Sequence, residues 1–120
     1  MSAIGWLAVG LLGGGAAGAR YLLDAELSRR LGSRFPLGIL AVNLTGSFAL
    51  GLLAGSALRG EALAILAGGV IGSFTTFSTW MLDTHRLSVD GRAQLAWLNL
   101  AVPLVSGFLA VALGHWLVSA

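Results

Sequence analysis

Four stretches of this chain carry almost no charge: about Ser2 to Ala19, Leu37 to Leu58, Ala62 to Leu82 and Ala93 to Ala120. Each reaches the roughly 18 to 20 residues that a helix rising about 1.5 Å per residue needs to cross a hydrocarbon core about 30 Å thick. Lipid offers no water to pair backbone groups, so a spanning segment is either a helix or a strand of a closed barrel. The apolar runs here are continuous rather than alternating, and the chain is too short to close a barrel of alternating strands. With 57% hydrophobic and 10% charged residues, the composition agrees. The expected fold class is an all-α membrane protein of four transmembrane helices, with residues 1–120 forming a single unit and no second domain. Ala17-Gly18-Ala19 resembles a signal-peptide cleavage site, but no basic residue precedes it, and the first stretch is therefore read as a span. The basic balance comes from seven arginines and no lysine. Arginines anchoring helix ends account for it without nucleic acid. The chain has no cysteine, which leaves no thiolate chemistry to consider.

The connections are short. In the longest, Arg20 to Arg34, Leu22, Leu23, Leu27 and Leu31 fall at helical spacing, so the first helix is expected to emerge into an amphipathic interfacial extension. Pro36 opens the second span, Leu58-Arg59-Gly60-Glu61 makes a tight link, and Asp83 to Arg92 is expected to be a short exposed loop. Eighteen glycines are about twice the usual ~7%. Gly10, Gly14 and Gly18 stand four apart, as do Gly51 and Gly55, and Gly68 and Gly72. Three helices thus present small-residue stripes that permit close approach, within the unit or across a dimer seam.

The acids Asp24, Glu26, Glu61, Asp83 and Asp90 all fall at or outside the expected membrane boundaries. A small proton-coupled multidrug-type exporter needs a carboxylate within a span, and this pattern opposes it. His85 and His115 stand apart from any metal-ligand partner at usable spacing. No nucleophile, base and orienting acid occur together, so an enzyme is not expected. What lies within the spans is neutral and polar: Asn43, Thr45 and Ser47 in the second, Ser73, Thr75, Thr76, Ser78 and Thr79 in the third, Asn99 and Ser106 in the fourth. Asn43 and Ser47 share a face, as do Phe77 and Trp80. The stretch GGVIGSFTTFSTWM, Gly68 to Met81, is poor material for an unbroken helix, because glycine is flexible and hydroxyls compete for backbone bonds. A break is expected near Gly72 to Thr76. Exposed carbonyls at such a break suit a small cation, whereas amide and hydroxyl donors and the positive rims of aromatic rings suit an anion. This stretch has both sets.

The runs GGGAAGARYLL (Gly13 to Leu23), FPLGILAVNLTGSFALGLLAG (Phe35 to Gly55) and GGVIGSFTTFSTW (Gly68 to Trp80) resemble the Fluc fluoride channel family, also called CrcB. The resemblance implies a dimer of oppositely oriented four-helix subunits in the cell (plasma or inner) membrane. It also implies two pores between the subunits and passive export of fluoride that entered as hydrofluoric acid. By position, Asn43 matches the pore asparagine, Phe77 and Trp80 the two pore phenylalanines, Ser78 and Thr79 the polar track, and Arg20 an arginine near the pore mouth. A structural sodium, bound and not transported, would be held at the dimer centre by the main-chain carbonyls of Gly72 and Thr75.

The chain departs from the family pattern at Trp80, where phenylalanine is usual, at Ile39, where threonine is frequent, and at Asn99 and Pro103, in place of a tyrosine and a serine. Trp80 brings an indole N–H, and Pro103 removes the backbone donor for the Asn99 carbonyl. These departures leave open whether both pores conduct, and an accessory, non-conducting subunit is the alternative reading. If the helices alternate, Arg20, Arg29, Arg30, Arg34, Arg86 and Arg92 flank one side of the membrane and Arg59 alone flanks the other. Arginine bias sets orientation, so insertion mainly with both termini outside is expected. The oppositely oriented partner is then either an identical chain or a paralogue.

Overall fold

The computed structural model describes residues 1–32 and 34–119. Ser33, in the first connection, and Ala120, at the end of the last apolar stretch, lie outside the described residues. Among the described residues, four helical stretches are long and apolar enough to cross a membrane: Ala3–Leu31, Leu37–Gly55, Gly60–Val89 and Ala93–Ser119.

Helix α1 (Ala3–Leu31) starts at Ser2, whose Oγ accepts the Gly5 N–H at 3.0 Å and donates to Glu61 Oε1 at 2.6 Å. The Glu61 carboxylate fills the space a Cβ on Gly5 would need, placing an anion at the positive end of the helix. The expected extension is helical through Leu31, with Glu26 bridging Arg29 and Arg30 at 2.6 Å each. Gly32, at φ 83°, stops it. Pro36 precedes α2 (Leu37–Gly55).

The third span is composite: α3 (Gly60–Leu63), a π-helical stretch (Ala64–Ile71), α4 (Gly72–Phe74), a break, and α5 (Ser78–Val89). The break expected near Gly72 to Thr76 is present, at residues 75–77, toward the end of that stretch. The glycines are accommodated in helix, where the wider π turns run from Ala64 to the Gly72 N–H on the Ala67 carbonyl. The exposed loop expected over Asp83 to Arg92 is corrected. Helix α5 continues to Val89 because Leu87 is buried against its neighbours while Arg86 stays solvated. Only residues 90–92 turn, around Gly91 at φ 78°. Helix α6 (Ala93–Ser119) runs through Pro103 without interruption.

Glycine stripes set the packing. On α2, Gly51 lies against the Val111 carbonyl of α6, and Gly114 of α6 lies against the Phe48 carbonyl, so a Cβ at either would overlap backbone. Gly13 of α1 admits Ser73 and the Gly69 carbonyl, and Gly46 of α2 admits the Thr75 methyl. Gly10, Gly14, Gly18 and Gly68 face open space. The stripes are thereby apportioned: Gly51 and Gly55 hold α2 to α6, whereas those of α1 and the third span point away from the four-helix unit. The buried core is small and centred on Ile39, Val42 and Asn99, while Trp6, Trp97, Phe108 and Trp116 are between 62% and 77% exposed. That inversion suits a chain whose outer solvent is hydrocarbon.

Candidate ion site at the broken span

The break is held by one side chain. Thr75 is extended, at φ −80° and ψ 159°, and its N–H and hydroxyl both turn back to the Ile71 carbonyl at 3.0 Å, the hydroxyl competition expected of threonine. At Thr76 the helical ladder is replaced outright. Asn43 Oδ1 accepts the Thr76 N–H at 2.9 Å, and Asn43 Nδ2 donates to the Thr76 carbonyl at 2.9 Å. The Thr76 hydroxyl then accepts the Thr79 N–H at 3.2 Å and opens α5. Among the described residues, no hydrogen bond reaches the carbonyls of Gly72, Ser73, Phe74 or Thr75, and none leaves the N–H groups of Phe77 or Ser78. One short break thus presents unpaired oxygens and unpaired donors together.

Beside it lies a groove of about 410 Å³ whose lining includes Asn43, Ser47, Thr75, Thr76, Phe77 and Trp80, closed on the α6 side by Pro103, Gly107 and Phe108. Phe77 and Trp80 meet edge to face, with ring centroids 5.8 Å apart and planes at 89°. The Trp80 indole N–H, a free donor on sequence grounds, is spent on the Asn99 carbonyl. That carbonyl lies four residues before Pro103 and is the one the proline leaves without a helical donor. Asn99 is buried at 1% exposure. Its side-chain Nδ2 donates to Thr84 Oγ1 at 2.8 Å, and Thr84 Oγ1 in turn donates to the Trp80 carbonyl at 2.9 Å.

The sequence candidates do not all converge. Asn43, Thr75, Phe77 and Trp80 line the groove. Thr79 instead faces a polar recess of about 360 Å³ that also takes in Asp24, Asp83, Arg86 and Arg92. Ser78 and Gly72 are exposed on the outer side of the break. Arg20, on α1, stands outside the groove, and its buried Nε meets no acceptor among the described residues. Ile39 sits in the core at 3% exposure, away from the groove lining. Thr84 escaped the sequence reading, although its place one helical turn after Trp80 could have suggested it. The embrace of Thr76 by Asn43 left no such sign, since 33 residues separate the two.

The family described as "CrcB-like protein, Camphor Resistance (CrcB)" matches residues 7–115. Among curated proteins the chain is similar to "Fluoride-specific ion channel FluC 2" of Mycobacterium tuberculosis (strain ATCC 25618 / H37Rv), at 45% identity over 112 residues, covering 93% of this chain and 89% of that one. "Fluoride-specific ion channel FluC 1" of Symbiobacterium thermophilum is 42% identical over 115 residues, covering 91% and 93%. "Fluoride-specific ion channel FluC" of Acidobacterium capsulatum is 39% identical over 116 residues, covering 91% and 90%.

Proposed function

This chain belongs to the CrcB-like protein family, and on that premise we propose that it is a subunit of a fluoride-specific channel that passively lets cytoplasmic fluoride out across the cell membrane. The observation that carries the reading is the break at residues 75–77, pinned by Asn43 and flanked by the Phe77–Trp80 pair. Fluoride is small and firmly hydrated, so a path for it needs donors that replace water without a fixed cation that would trap it. The unpaired N–H groups at the start of α5 and the positive rims of Phe77 and Trp80 supply that kind of surface. Ser78, exposed beside the break, and Thr79, on the adjoining polar recess, add hydroxyls outside the groove, and Arg20 on α1 adds a positive charge that draws anions toward the subunit.

The carbonyls of Gly72 and Thr75 fit a structural sodium. They are hard oxygen donors left unpaired at the break, and a second subunit would complete the shell. The ion would supply a fixed positive charge that ties the two broken spans together. The outward glycine stripe of α1 and exposed Gly68 and Gly72 support an oppositely oriented partner packed across these faces.

Efflux from vesicles reconstituted with the purified chain, followed with a fluoride electrode, tests the function. The expected result is rapid fluoride release that needs no proton gradient, with chloride retained. Release no faster than from protein-free vesicles sinks the reading, and release that follows the proton gradient points to an exporter. A second reading, of a subunit that works only with a paralogue, is favoured by the gathering of arginines at one end, where Arg34 shares a cavity wall with Arg92 and Arg86 shares another with Arg92. Efflux restored only by a partner chain would select it.

A further inference from the structure

Trp80, Thr84, Asn99 and Pro103 form one bonded group, and two of the three departures from the family pattern within it, Trp80 and Pro103, answer each other. Proline at 103 leaves the Asn99 carbonyl without its i+4 amide donor, inside a site where water does not reach. Of phenylalanine, tyrosine and tryptophan, only tryptophan carries a ring N–H able to supply that donor, and the Trp80 indole does so. Asn99 then uses its own side chain on Thr84, which is bonded to the Trp80 carbonyl one turn back. The indole is held at its ring edge and, through its backbone, at its root.

We propose that Asn99, Thr84 and Pro103 are positioning residues for Trp80: the missing amide at Pro103 fixes the rotamer of the indole, and so sets the edge-to-face contact with Phe77 that shapes the groove. A corollary is that Trp80 offers a passing anion ring C–H edges and not its N–H, which is already spent. A phenylalanine could not hold this pose beside Pro103, because the Asn99 carbonyl would be left buried and unpaired. The pose is a feature of the folded chain. Its effect on permeation rests on the channel reading above.

The test separates the two. In a W6F/W97F/W116F background, which removes the three lipid-facing tryptophans, the indole ¹⁵N–¹H signal of Trp80 reports its bond directly. It should exchange slowly with solvent deuterium. P103A should shift it and speed its exchange at least tenfold, because an alanine there supplies the helical amide and releases the indole. T84V should loosen it in the same direction, and T84S should not. In vesicles, W80F should slow fluoride efflux about tenfold, and W80F/P103A should regain at least fivefold over W80F, since the restored amide re-pairs Asn99. An indole signal that is identical in the parent and in P103A overturns the proposal. So does a W80F/P103A protein as slow as W80F. If W80F does not assemble, the indole comparison alone decides. Wild-type vesicles that hold their fluoride would sink the channel reading while leaving the indole result to stand or fall by itself.

Discussion

At the scale of single residues, the third span stays broken because an asparagine amide can give and take at once. Asn43 accepts from the N–H of Thr76 and donates to its carbonyl, replacing both ladder bonds of a residue that has left the helix. A carboxylate has the same shape but no donor. N43D is therefore expected to leave the Thr76 carbonyl facing an oxygen, at a cost of about 1–3 kcal/mol, seen as earlier thermal unfolding in detergent, and to slow efflux. Unchanged melting would show that Asn43 does not hold the break. That Asn43 mattered was legible, because a lone amide within a span has to find partners. What it holds was not, because its partners are backbone atoms, which carry no residue signature. Trp80 was half legible: the sequence shows which carbonyl Pro103 deprives, but only the fold brings the indole to it.

At the scale of elements, the position of the break follows from how closely its neighbours approach. Gly13 and Gly46 are the floors on which Ser73 and the Thr75 methyl rest. G46A would drive its new methyl into Thr75, and the expected destabilisation is about 1–3 kcal/mol. G14A, facing open space on α1, is expected to stay within about 0.5 kcal/mol of the parent. Melting of the two proteins in parallel checks the pair; equal losses would contradict the packing described. Helix count and type were readable, since charge-free length alone dictates them. The break was readable too, from the glycines and hydroxyls together, and it falls at the hydroxyl end of that stretch. In the fold, glycine provides clearance, and the threonine hydroxyls with Asn43 do the breaking. The charges from Asp83 onward point to a loop, yet charges on the solvated face of a helix that overruns the bilayer cost little.

At the scale of the whole molecule, two outward features remain: the α1 stripe Gly10, Gly14 and Gly18, and the arginines gathered at one end. If the stripe seats a second subunit, G14L should leave the monomer folded while shifting the population from dimer to monomer, as read by cross-linking in membranes. A dimer fraction equal to wild type would remove α1 from the seam. The arginine bias predicts one dominant orientation with both termini outside. The chain lacks cysteine, so a single S119C thiol, probed with a membrane-impermeant reagent on intact cells, reads orientation without background. Equal inside and outside populations would mean that the chain can supply both halves of an antiparallel pair.

Gly5 and Glu61, far apart along the polypeptide, share one small volume at the start of α1. The carboxylate of one occupies the volume the other leaves empty and caps α1 through Ser2. A methyl at 5 displaces the acid, whose exposed, flexible side chain can swing into solvent, so the loss falls on the cap of α1 and not on its packing. Alanine at the first position should therefore fray the start of α1 while leaving the four spans packed as before, a difference that amide exchange over its first turn reads.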